Sequence, residues 1–100
     1  MHAILRRYAY DPTRLDDARG ALARVRALHE QQPGYAGSYL IDDGTHWVAL
    51  NLWQSQQAAD AGWDAIGAQV QHLLEPLVAG QPQLIAVGPV IAADLDGHRL

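Results

Sequence analysis

One hundred residues give room for one domain and one core. A net charge of −4, with seven basic residues that are all Arg and lie scattered along the chain, lacks the electrostatic footprint of a nucleic-acid binder. The absence of cysteine excludes a disulfide framework, a thiolate metal site and a thiol nucleophile.

Apolar residues make up 49 % of the chain and charged residues 18 %, against about 25 % charged in an average globular chain. Less surface is therefore marked for water, as in a chain that covers part of itself with a second copy. No stretch approaches the roughly 18 apolar residues of a membrane span. The opening residues Met1–Arg7 lack the apolar segment of a signal peptide. A soluble cytoplasmic protein with no membrane partner is expected.

Residues 2–9 read as a first strand. Asp11 and Pro12 then suit the start of a helix, Asp11 as cap and Pro12 at the first helical position. Leu15, Ala18, Leu22, Val25 and His29 recur at helical spacing, and Arg14, Arg19, Arg24 and Arg26 lie mostly off that stripe. The helix must end before Pro33, which disfavours helical backbone at Gln32.

Residues 35–41 and 46–53 read as a hairpin around Asp42-Asp43-Gly44-Thr45. With Asp43 and Gly44 as the central pair of a type I′ turn, Leu40 faces Trp47 and Tyr39 faces Val48. Alternation places Tyr35, Gly37, Tyr39, Ile41, His46, Val48, Leu50 and Leu52 on one face. The other carries Ala36, Ser38, Leu40, Trp47, Ala49, Asn51 and Trp53. Both faces are apolar enough to be covered, and two helices cover only one. A partner subunit is the natural cover for the other, so a homodimer is expected, with the choice of face left open.

Ser55 can cap a second helix whose stripe is Ala59, Trp63, Ile66, Val70, Leu73 and Leu77. Gly62 and Gly67 weaken that helix and serve either close packing or free space beside Trp63. Pro76 ends or kinks it, Gly80-Gln81-Pro82 reads as a turn, and residues 83–92 form a last strand in which Gly88-Pro89 marks an edge, bulge or bend. The fold class is α+β: a ferredoxin-like βαββαβ domain over 1–92 with an antiparallel four-stranded sheet, then a mobile polar tail over 93–100.

Tyr8, the run Gln32-Pro33-Gly34-Tyr35-Ala36-Gly37-Ser38-Tyr39 and the run Leu50-Asn51-Leu52-Trp53-Gln54-Ser55 resemble the antibiotic-biosynthesis-monooxygenase family. The resemblance spans about residues 3–92. It implies a dimeric α+β barrel, in which two subunits pair their sheets. It also implies oxygenation of a phenolic or quinol compound without metal or flavin, so no cofactor is expected. Relatives of that family also degrade haem, handle small quinones or have no assigned activity, and fold alone does not transfer chemistry.

A cofactor-free oxygenase needs aromatic walls, a few hydrogen bonds and a proton acceptor around an electron-rich substrate. Asn51 shares a strand face with Trp47 and Trp53 beside small neighbours, and is the candidate donor to a substrate oxygen. Trp53, Trp63 and Tyr39 are the candidate substrate-binding residues. His72 is the candidate base, since imidazole suits proton transfer near neutrality. Arg6 or Arg7, whichever points inward, is a candidate for binding a carboxylate or phenolate. Each has a plainer role as core, edge or helix-end residue. Trp63 and His72 together also suggest haem degradation, a lesser reading because strand one offers Arg6, Arg7 and Tyr8 where that branch has Asn. No pair of His at i, i+4 marks a metal site. Asp42-Asp43 is turn chemistry, and Asp16-Asp17 suits a helix N-terminus. Three readings stand: a cofactor-independent monooxygenase for a small aromatic, phenolic or quinone-type compound; a non-catalytic module that binds an aromatic or apolar ligand; and a structural dimer whose interior is filled by its own side chains.

Overall fold

The computed structural model describes residues 1–95 and 98–99. In chain order it has β1 (His2–Tyr10), a single 3₁₀ turn (Pro12–Arg14), α1 (Leu15–Glu30), β2 (Tyr35–Asp42), β3 (His46–Trp53), α2 (Gln56–Leu74) and β4 (Val78–Pro89). The sheet order is β2-β3-β1-β4, and every neighbouring pair is antiparallel. This is the expected ferredoxin-like βαββαβ arrangement. No helix among the described residues is long and apolar enough to cross a membrane.

Asp11 starts the first helical segment as its sequence suggests. Its carboxylate accepts from the Thr13 amide at 3.0 Å and the Thr13 hydroxyl at 2.6 Å. One 3₁₀ turn intervenes before α1, so Asp11 caps the turn and Arg14 stands at the helix's own N-terminus without a side-chain cap. Ser55 caps α2, accepting from the Ala58 amide at 3.0 Å.

The face that meets the helices is the one carrying Trp47 and Trp53. Tyr10, Ala18, Trp47 and Leu77 form one buried cluster, in which the Tyr10 and Trp47 rings stack at 4.9 Å and 12°. The Tyr10 hydroxyl leaves this cluster to donate to Asp42 at 2.9 Å, which raises its pKa. Trp53, 3 % exposed, lies directly under Gly62 of α2 and leaves no space for a Cβ there. Ala18 belongs to α1, so both helices cover the same side.

The hairpin differs from the type I′ expectation by two residues in register. Asp42 pairs with Trp47, Leu40 with Ala49 and Tyr39 with Leu50. A type I′ turn needs positive φ at both central residues. Here Gly44 has φ +96°, and no non-glycine residue among those described has positive φ. The loop instead widens around the Asp43 carboxylate, which accepts from the amides of Thr45 at 2.8 Å and His46 at 2.7 Å. A shift of two preserves the two faces. A shift of one does occur lower down: Tyr35 pairs with Trp53 but Gly37 with Leu52, so Ala36 is an extra residue on β2. The bulge moves Tyr35 from the face predicted for it to the helix side. There its ring meets Trp53 edge-on at 5.4 Å and His29 at 5.5 Å.

The last strand also departs from expectation. Gly80-Gln81-Pro82 is no turn between elements but an irregularity inside β4, where the pairing with β1 jumps from Ala79 to Gln83. β4 is an edge strand, so Pro82 and Pro89 sit where a missing amide donor is tolerated. The segment read as a mobile tail is paired where described, β5 (Asp94–Leu95) against β6 (His98–Arg99).

Candidate functional site

Along the helix-facing side of β3 the residues run Trp47, Ala49, Asn51, Trp53. Small side chains between two large rings leave a gap, and Ser38 opposite Asn51 and Leu40 opposite Ala49 continue it onto β2. The result is a cavity of about 500 Å³ between sheet and helices. β1 contributes Tyr8 and Arg6, which pair with Trp47 and Ala49 and so share their face. α1 closes one side with Leu22, Val25 and His29, and α2 the other with Trp63, Val70 and Leu74. Within one chain, the side chains leave this space open.

Of the expected site residues, Asn51, Trp63 and Tyr39 border the cavity. Asn51 and Trp63 are half-buried. Tyr39 belongs by alternation to the opposite face and is 55 % exposed, so it reaches only the border. Trp53 takes the core role: it is sealed between Gly62, His29 and Tyr35 and does not line the cavity.

His72 is elsewhere. It is exposed and lines a groove formed only by α1, α2 and Gln31, with Arg24, Leu28 and Leu73 for neighbours. Trp63, Val70 and Leu74 mark the cavity side of α2, and nine residues after Trp63 the helix has turned about 180°. Trp63 and His72 therefore face different sides of α2, and His72, the expected base, lies outside the cavity that Asn51 and Trp63 border.

Three cavity residues escaped the sequence reading or were left undecided by it. His29 counted there only as part of the α1 stripe. It is 7 % exposed, and its Nδ1 lies 2.8 Å from the Val25 carbonyl oxygen. A carbonyl only accepts, so Nδ1 carries the proton and Nε2 of the neutral ring is the basic nitrogen. No side-chain nitrogen or oxygen among the described residues is both fully buried and unpartnered. Nε2, with no protein partner among the described residues, is thus open to the cavity or to solvent. Arg6 is the inward member of the Arg6-Arg7 pair. Its guanidinium lies 4.9 Å from the centre of the Trp63 ring. Arg7 is on the other face, 3.2 Å from His46 Nδ1. Tyr8 is the third: burial pushes its hydroxyl pKa up while the nearby Arg6 charge works the other way, so it stands as a neutral donor. Parity within β1 would have separated Arg6 from Arg7, but only once the helix-facing side was known.

The arrangement offers flat apolar walls, an amide, a phenol and a guanidinium for hydrogen bonding, and one imidazole nitrogen available to accept a proton. No group of three or more His, Asp or Glu side chains among the described residues is placed to hold a metal ion.

No family model matches the chain, and no curated protein matches it. Solved structures do. An antibiotic biosynthesis monooxygenase superposes with a TM-score of 0.74 at 14 % identity, covering 91 % of this chain and 99 % of that one. SnoaB, a cofactor-independent oxygenase from Streptomyces nogalater, gives 0.69 at 17 % identity over 90 % of this chain and 95 % of its own. A protein of Mycobacterium tuberculosis gives 0.75 at 17 % identity over 93 % and 98 %. The chain thus has the fold of the antibiotic biosynthesis monooxygenases, an architecture shared along nearly the whole length of both partners.

Proposed function

We propose that this protein is a cofactor-independent monooxygenase for a small aromatic, phenolic or quinone-type compound, working as a homodimer in the cytoplasm. The observation that carries the reading is the open cavity with aromatic walls and His29 at its edge. Its volume of about 500 Å³ falls within the roughly 300–1,000 Å³ of small-molecule sites. The likeness to SnoaB, described as a cofactor-independent oxygenase, supports the same chemistry.

In this mechanism the substrate lies flat between Trp63 and the sheet. Asn51 and Tyr8 hydrogen-bond its oxygen atoms, and an activated methylene or phenol gives its proton to His29 Nε2. The resulting carbanion or phenolate reduces dioxygen directly. One oxygen atom ends on the substrate carbon as a carbonyl, and the other leaves as water with two hydrogens, both from the methylene carbon or, for a phenol, one from the ring carbon and one from the hydroxyl. The homodimer reading rests on the uncovered sheet face, where Tyr39 and Ile41 are 55 % and 56 % exposed.

Oxygen consumption with anthrone-like and hydroquinone substrates tests the proposal. His29→Ala is expected to reduce uptake above the spontaneous rate by about 10²- to 10⁴-fold, the usual range for a positioned general base. His72→Ala should leave it unchanged. Tight binding of these compounds with no enhanced uptake would replace the enzyme with the binding-module reading.

A further inference from the structure

The charge on the cavity runs against the charge of the chain. The protein carries eleven acidic residues and seven arginines. Three of the arginines, Arg6, Arg19 and Arg26, line the cavity, and among the described residues no Asp or Glu does. Arg26 is engaged, 3.3 Å from Glu30 on the next turn of α1. Arg6 and Arg19 have no carboxylate partner among the described residues. Arg6 is the more telling, because it is half-buried and lies over the Trp63 ring. A guanidinium drawn out of water without a counter-ion is costly, and an anion arriving with the ligand relieves that cost. Arg19 stands exposed on α1 at the border of the same space, placed to attract an anion before it enters.

We infer that the cavity takes an aromatic compound bearing an acid group, a carboxylate for which the Arg6 guanidinium is the planar two-pronged donor. This deepens the proposed function and rests on the cavity being a site for an aromatic compound. The ring packs on Trp63 and Tyr8, the acid group reaches Arg6, and the rest of the ring system extends toward Asn51 and His29. The same positive charge favours the anionic form of a substrate that has lost a proton.

Equilibrium binding of two ligands of nearly equal shape, 2-naphthoate and 2-naphthamide, separates this inference from the oxygenase reading because no turnover is needed. By calorimetry the wild-type protein should bind the naphthoate about tenfold more tightly than the amide, as expected for one charge-assisted pair. The preference should shrink as salt rises. Arg6→Gln should abolish it while leaving amide affinity in place, and Arg6→Lys should restore part of it. Arg19→Gln, at an exposed position that does not threaten folding, should reduce it. Equal affinities in the wild type, or a preference that survives the Arg6→Gln/Arg19→Gln double variant, would overturn the inference and leave the aromatic cavity standing. Binding of neither ligand would overturn both.

Discussion

Two glycines decide where two tryptophans sit. At Gly62 a Cβ would overlap the Trp53 ring, and at Gly67 it would come within 2.9 Å of Trp63. The sequence left open whether these glycines serve packing or ligand space, and they do both: Gly62 seats the core tryptophan, Gly67 the one that walls the cavity. Alanine is the better helix former by about 1 kcal/mol. Even so, Gly62→Ala should destabilise the protein, because overpacking a close-packed site costs about 1–3 kcal/mol. A urea unfolding midpoint at or above that of the wild type would show that the Trp53 ring moves aside freely. The position of Asn51 and Trp63 at the cavity was legible because strand parity and helix spacing report direction. His29 was not, since its chemistry depends on which ring nitrogen the Val25 carbonyl engages, a matter of side-chain rotamer that spacing does not encode.

At the scale of elements, the order of strands and helices and most of their bounds could be read almost unaided, the start of β4 excepted. Ser55 and Asp11 act as caps, and Pro33 closes α1 within a few residues of expectation. Register was harder. Asp43-Gly44 signals a two-residue turn only if Asp43 accepts positive φ, and its side chain offers the backbone a better alternative by gathering two amides and the Thr45 hydroxyl. Those bonds, from the Thr45 and His46 amides first, hold the Asp43 carboxyl down to about 2 from an ordinary 3.8. A depressed carboxylate stabilises the fold above its ordinary pKa and loses that effect as pH falls toward the folded value. The turn should therefore loosen between about pH 4 and pH 2. In two-dimensional NMR, the amide signals of Thr45 and His46 should titrate with a midpoint near the depressed value of about 2. A midpoint at the ordinary value would show that the gathered amides do not hold the charge.

For the whole molecule, the alternation of apolar residues on both faces of the hairpin implied two covers, and the helices supply one. The choice of face was illegible because neither face is polar. It is settled by Trp53 fitting beneath Gly62, a close approach that the sequence shows only as a glycine in a helix. The other face presents Tyr39, Ile41 and the half-buried Val48 and Leu50. Sedimentation equilibrium at micromolar concentration should find a dimer, and Leu50→Glu, which puts a charge in the middle of that face, should yield monomer or unfolded chain. A wild-type protein that sediments as a monomer would remove the proposed partner. The charge segregation that puts Arg6 and Arg19 at the cavity and the described acids elsewhere also escaped composition, since a net charge averages over position.

The single extra residue at Ala36 gives the binding wall an unusual dependence. Strict alternation from Tyr39 would turn Tyr35 outward, and the bulge alone brings its ring in to Trp53 and His29. Deleting Ala36 would change no cavity residue's identity, yet it would turn Tyr35, which begins the strand, from the inward to the outward side. Related chains that gain or lose one residue here would therefore differ in the shape of the site as much as chains that differ by substitution, even where every lining side chain is the same.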